Sequence, residues 1–302
     1  GCKATSNVLT GQMFGIGVKG THAHSWVMSF PDEISAFRAY AEIFPDTCLL
    51  LVDTYDSLKS GVPNAIQVFK ELSAKGYHPV GIRLDSGDLA YLSKQARAML
   101  DSAGFKDAKI FASSDLDEFV IRDLKAQGAR IDMWGVGTRL ITSDDRPSLG
   151  GVYKLAAEMV DGVMTPKMKV SDNKIKTTLP GYKKVLRFYD RDDKAIADLI
   201  ALNDESILGD TPLKLYHPEE SHKTMTIKNF RVRELLLPIF IDGKQVYNSP
   251  DIMEIHRYAA EEQNTFWEEY KRLLNPHEYK VDLSDKLYDL KKQLTKKYTI
   301  ER

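Results

Sequence analysis

Cysteine is nearly absent: Cys2 and Cys48 are the only two. They cannot build a disulfide framework or a thiolate zinc site by themselves. Both are read as small buried residues in a reducing, cytoplasmic setting. Excess charge of one sign is absent too, since Lys+Arg 42 against Asp+Glu 43 leaves a formal charge of -1. That balance excludes a generally basic nucleic-acid binder. No apolar run approaches the roughly 18 residues of a membrane span; the run from Cys48 to Val52 is strand-sized. Neither a G-x-G-x-x-G fingerprint nor a Walker loop is found, so a Rossmann dinucleotide site and a P-loop are unsupported. Internal repeats and low-complexity linkers are missing as well. What is present is an ordinary globular composition, 43% apolar and 28% charged over 302 residues. At about 150 residues per domain, that is enough for two. The opening, GCKATSNVLTGQMFG, carries no secretory pattern and reads as the middle of a folded domain, so an N-terminal portion is expected upstream.

The first half repeats one pattern, a short apolar run ending in polar and small residues and followed by a helical spacing. The runs are IGVKGTHAHS (16–25), CLLLVDTYDS (48–57), YHPVGIRLDSGD (77–88), AKIFASSDLDE (108–118) and ARIDMWGVGT (129–138). Between them, Ile66, Phe69 and Leu72 share one helix face, as do Leu92, Ala96 and Leu100. Gly76, Gly104 and Gly128 stand where left-handed caps would end the helices. Apolar strands alternating with helices predict a parallel sheet of at least five strands. The second half reads as α+β. VYKLAAEMV and VLRFYDRDDKAIADLIAL predict strands, the latter with a turn at Asp190–Asp193. IFIDGKQVY predicts a hairpin turning at Asp242-Gly243. Helical spacing runs from Asp251 to Leu274 and again through LSDKLYDLKKQLTKK. The expected division is 1–160 and 161–302.

THAHS, DTYDS, RLDSGD, SSDLD and GVGT all fall at C-terminal strand ends, where ligands bind in parallel α/β folds. The five are expected to form one site. His22 and His24, two apart, are expected on one strand face. They read as a structural pair, a metal pair, or a pair with one acid–base or covalent histidine. Asp53 is the expected histidine partner, while Asp56 and Asp88 read as helix caps. Arg83 and Asp85 share a strand face; the arginine suits a carboxylate or phosphate and the acid suits ribose hydroxyls or magnesium. Gly135, Gly137 and Thr138 resemble an anion cradle. The set suits a phosphorylated sugar. A metal-dependent hydrolase on a barrel, or a non-catalytic fragment of a larger assembly, are the competing readings.

At these residues the sequence resembles nicotinate phosphoribosyltransferase. The matching stretches are GTHAHSWVMSF (20–30), LLVDTYDSLKSGVPNAI (50–66), GIRLDSGDL (81–89), GVGT (135–138), SLGGVYKLAAE (148–158) and NPHEYKVDLSDKLYDLK (275–291). The resemblance implies an irregular β/α barrel of the type II phosphoribosyltransferase kind, incomplete in this chain, followed by a C-terminal α+β region. It implies a head-to-tail homodimer that joins nicotinate to 5-phosphoribosyl 1-diphosphate, with ATP hydrolysed through a phosphohistidine and Mg2+ escorting the diphosphate. His24 would be the phosphorylated residue and Asp53 its orienting carboxylate. Arg83 and Asp85 would contact the nicotinate–ribose region. Thr21, Ser25, Ser114, Asp115, Gly135, Gly137 and Thr138 would bind substrate. No resident protein metal site, nucleic acid or membrane is implied, and the setting is cytoplasmic.

Overall fold

In the computed structural model, which describes residues 1–171, 176–207 and 212–300, the strands of the first half line up in the order in which the chain makes them. Helices α1 (Val8–Phe14), α2 (His24–Met28) and α3 (Glu33–Ile43) come first. Four βα units follow: β1 (Leu49–Leu51), α4 (Val62–Ala74), β2 (Gly81–Leu84), α5 (Leu89–Ser102), β3 (Lys109–Ala112), α6 (Glu118–Ala126), β4 (Met133–Trp134) and α7 (Thr138–Ile141). All pairings are parallel and the order is β1-β2-β3-β4. Sequential neighbours without a switch point are the order of a β/α barrel, not of a doubly wound sheet. Among the described residues the sheet does not close. Leu50, Ile82 and Ile110 are wholly buried on one face, in a core with Phe37, Val68, Phe69 and Leu100 from α3, α4 and α5.

Caps define these helices. Asp32, Asp88 and Asp117 each accept a backbone N–H three residues on, and Asp56 caps a single π-turn, Ser57–Gly61, that leads into α4. The helix ends expected at Gly76, Gly104 and Gly128 have positive φ. The strand expected at 16–25 does not form. It is reduced to an isolated bridge between Thr5 and Val18, and α2 begins at His24. The run GVKGTHAHS has too few apolar residues to bury a strand, so the count is four strands, not five. Cys48 is buried and its thiol is pushed up to about 12 by that burial. Cys2 is exposed, contrary to expectation, because it lies in irregular chain before α1.

These residues belong to one compact unit, Cys2–Gly150; Gly151–Arg302, with Gly1, make the other. The second unit begins with the hairpin β5 (Ala157–Val160) and β6 (Val163–Pro166), shorter than VYKLAAEMV suggested. Next come β7 (Lys183–Tyr189), β8 (Ala195–Leu202), β9 (Leu213–Tyr216), β10 (Thr224–Ile227) and β11 (Arg231–Glu234). The hairpin β12 (Phe240–Ile241) and β13 (Lys244–Gln245), then α8 (Ile252–Asn264), β14 (Val281–Leu283) and α9 (Asp285–Ile300), complete it. The main sheet runs β10-β9-β14-β8-β7-β11. The turns expected at Asp190–Asp193 and Asp242-Gly243 are present; φ is 50° at Asp242 and 74° at Gly243, the two positive values of a type I′ turn. The helix expected through Leu274 stops at Asn264. Tertiary packing overrides the pattern there, because the Phe266 ring leaves the helix to lie 4.8 Å from the Arg187 guanidinium.

Candidate active site

Register builds the site. Leu51 pairs with Arg83, Arg83 with Phe111 and Phe111 with Met133. Two residues further along each strand, the same row continues as Asp53, Asp85, Ser113 and Gly135. The pleat sends alternate residues to one face, so this row shares a side with Arg83. The ladder carries on past the strand ends: Ser113 N–H donates to the Leu84 carbonyl (3.0 Å) and Gly135 N–H to the Ala112 carbonyl (2.7 Å). At the Asp85 step a side chain replaces the backbone, with Asp85 N–H donating to Asp53 Oδ2 at 2.8 Å.

Arg83 ties the row together. Its Nε donates to Ser113 Oγ (2.7 Å), Nη1 to Thr21 Oγ1 (2.9 Å) and Nη2 to Asp85 Oδ1 (2.8 Å). The Ser113 hydroxyl donates to the same Asp85 oxygen. Burial would raise the Asp85 carboxyl, but the bonds from Ser113 and Arg83, with the charges of Arg83 and His24, outweigh it and hold it below its ordinary range. Asp53 Oδ2 also accepts from Ser86 Oγ (2.7 Å). The Asp53 side chain is only 2% exposed, and its Oδ1 has no hydrogen-bond partner among the described residues.

The two histidines part company. His24 opens α2 and stays 39% exposed, with Nε2 3.6 Å from Asp85 Oδ2 and 3.9 Å from Asp53 Oδ1. Its Nδ1 lies 3.1 Å from Thr54 Oγ1. His22 is buried, and Leu51 N–H donates to its Nε2 at 3.1 Å. Burial, with the charges of Arg83 and His24, overrides a weak bond to the Ala23 carbonyl and lowers its pKa to about 4, so this ring is neutral. The expectation of one shared face fails because no strand forms at 16–25; His22 instead caps the open edge of β1. That engagement removes the histidine pair on which the hydrolase reading stood.

The carboxylate nearest His24 is Asp85, with Asp53 behind it, whereas the spacing had singled out Asp53 alone. Thr21 faces Arg83. Ser25 is exposed on α2 and Asp115 is exposed beyond β3. Ser114 has φ 116°, an unusual value for a residue with a side chain. Gly135 abuts Ser113, whose Cβ would stand 3.3 Å from an added Cβ. Gly137 and Thr138 open the short helix α7, and the side-chain partner of His24 is Thr54, not Thr138. Thr54, Ser86 and Ser113 bond to these residues and were not singled out by the residue pattern, although each follows a strand that it did. Among the described residues no three His, Cys, Asp or Glu side chains are grouped to hold a metal ion. No helix among them is long and apolar enough to cross a membrane.

A profile of the nicotinate phosphoribosyltransferase C-terminal domain matches residues 182–291. A nicotinate phosphoribosyltransferase of Bacillus subtilis is 51% identical over 294 residues, covering 97% of this chain and 60% of the relative. The human one is 30% identical, covering 96% and 63%. The crystal structure of human nicotinic acid phosphoribosyltransferase superposes with a TM-score of 0.78 at 28% identity, covering 97% of this chain and 65% of that one. A nicotinate-nucleotide pyrophosphorylase from Pyrococcus furiosus shares the fold, with a TM-score of 0.61 at 23% identity over 88% of this chain and 59% of its own. The chain is therefore a sequence and structural relative of the nicotinate phosphoribosyltransferases, and it spans about three fifths of the length of the curated relatives it matches.

Proposed function

We propose that this chain carries the phosphoribosyl-handling part of a nicotinate phosphoribosyltransferase, joining nicotinate to 5-phosphoribosyl 1-diphosphate to give nicotinate mononucleotide and diphosphate in NAD salvage. The observation that carries the reading is the imidazole of His24 set over two carboxylates, Asp85 and Asp53, at the end of a row that Arg83 locks to Ser113. In the reaction the pyridine nitrogen attacks the anomeric carbon as the bond to diphosphate breaks, through a cation-like sugar. Positioning and charge do the catalysis. Asp85 and Arg83 meet the ribose and the ring carboxylate. Ser114, Asp115, Gly135, Gly137 and Thr138 hold the ribose and its 5-phosphate; Thr21 and Ser25 line the histidine side. Magnesium arrives with the phosphates as part of the substrates, since the ion keeps most of its waters and needs only a carboxylate or two from protein.

ATP couples through His24. A ring lone pair attacks the terminal phosphorus, the bond to the bridging oxygen breaks and ADP leaves; the positive charge of the phosphorylated ring rests against Asp85 and Asp53. Water later attacks phosphorus, the P–N bond breaks and phosphate departs. The reading brings with it a homodimer in the cytoplasm, and the free thiols of Cys2 and Cys48 suit a reducing compartment. The test is incubation with ATP labelled in its terminal phosphate. Acid-labile label is expected on His24 and lost in His24→Asn. Turnover of 5-phosphoribosyl 1-diphosphate with no label on the protein would overturn the coupling.

A further inference from the structure

His24 has two ring nitrogens in unlike surroundings. Nε2 looks toward two acceptors, Asp85 Oδ2 at 3.6 Å and Asp53 Oδ1 at 3.9 Å. An ionised carboxylate accepts and cannot donate. Asp53 Oδ1 is moreover buried and unpartnered among the described residues, and such an acceptor favours an N–H facing it. Both facts place the proton of the neutral ring on Nε2. Nδ1 then keeps its lone pair and needs a donor, and Thr54 Oγ1 stands 3.1 Å away.

Thr54 is well placed to supply that donor. It directly follows Asp53 in the same loop, so the loop that presents the Asp53 carboxylate to one nitrogen also presents the Thr54 hydroxyl to the other. The loop is itself held: Asp53 Oδ2 is anchored by Asp85 N–H and Ser86 Oγ, and Asp56 caps the π-turn three residues on. A hydroxyl proton turns about its C–O bond at small cost. It can hold the lone pair while the site is empty and release it to an electrophile.

We propose that Thr54 is a positioning residue that fixes His24 in its Nε2–H form and orientation, with Nδ1 as the lone-pair nitrogen. This deepens the reading of His24 as phosphoryl acceptor and rests on it for its purpose, but the ring state can be measured without any turnover. The test compares the chain with Thr54→Val, which keeps shape and removes the donor, and Thr54→Ser, which keeps the donor. Nitrogen-15 NMR of the histidine rings reads the tautomer, with the His24 signals identified by their loss in His24→Asn. The expected result is Nε2–H in the parent chain and in Thr54→Ser, and a shift of population toward Nδ1–H in Thr54→Val. Label uptake from ATP should fall about tenfold in Thr54→Val, the worth of one hydrogen bond, and recover in Thr54→Ser. A parent ring protonated on Nδ1, or a Val variant with unchanged ring signals, would overturn the proposal. Absence of label in all the proteins, with the Thr54-dependent ring signals present, counts against the phosphohistidine reading and supports the role of Thr54.

Discussion

Arg83 meets three acceptors in three directions, Thr21, Ser113 and Asp85, and only a guanidinium can serve all of them. Arg83→Lys keeps the charge and loses the fork. Released from Arg83, the Asp85 carboxylate loses a partner on the side away from His24. For the proposed reaction, the expected outcome is a fall of about a hundredfold in kcat/KM, with unfolding free energy lower by about 1–3 kcal/mol. Steady-state kinetics and urea unfolding measure the two separately. His22 makes a prediction of its own. Its folded pKa of about 4 lies below the ordinary histidine value of 6.5, so the unfolded chain binds the extra proton. Its share of stability is therefore complete above about pH 6.5 and is lost as pH falls toward 4, by about 3 kcal/mol in all. Urea midpoints between pH 7 and 4 should show this slope, and His22→Gln, which keeps an acceptor for Leu51 N–H, should flatten it. Equal slopes in both proteins would refute the assignment.

At the next scale, two elements are shaped by backbone approaching backbone. A Cβ on Gly61, the last residue of the π-turn, would stand 1.8 Å from the Val52 carbonyl oxygen. A Cβ on Gly81, where β2 begins at φ 152°, would stand 1.9 Å from that of Lys109. Neither obstacle is a movable side chain. Gly61→Ala and Gly81→Ala are expected to cost at least about 3 kcal/mol each, whereas Gly76→Ala, at φ 88° with open space around it, should cost only about 1 kcal/mol. Urea unfolding of the three variants decides this. Gly61→Ala should also blunt the proposed His24 labelling, because the displaced turn follows directly on the loop that carries Asp53 and Thr54. The strands and helices of this sheet were legible because apolar runs, aspartate caps and terminal glycines agree with one another. The polar row at their ends was legible for the same reason. What periodicity could not show is that Asp53, Asp85, Ser113 and Gly135 fall in one register, since register depends on pairings between distant segments. Nor could it separate His22 from His24, because that depended on the failure of a strand.

Over the whole molecule, sequence order matches spatial order in one unit and departs from it in the other. In Cys2–Gly150 each strand lies beside its predecessor, so the αβ alternation suffices to read it. In Gly151–Arg302 the last strand, β14, enters the sheet between β8 and β9, parallel to the first and antiparallel to the second. Its three residues are too few to show an alternation, which is why KVDLS gave no strand signal. Yet the sheet is built around it. Leu283 is wholly buried, Asp282 and Ser284 are buried beside it, and Ser284 Oγ donates to Glu205 Oε1 at 2.6 Å. Without β14, β8 and β9 would each present an open edge, the usual start of aggregation. Leu283→Ala is accordingly expected to cost about 2–5 kcal/mol, read as lost amide protection in β8 and β9. Removal of residues 276–302 should leave an insoluble product. A soluble truncated chain with protected amides in β8 would show that the sheet closes without its last strand.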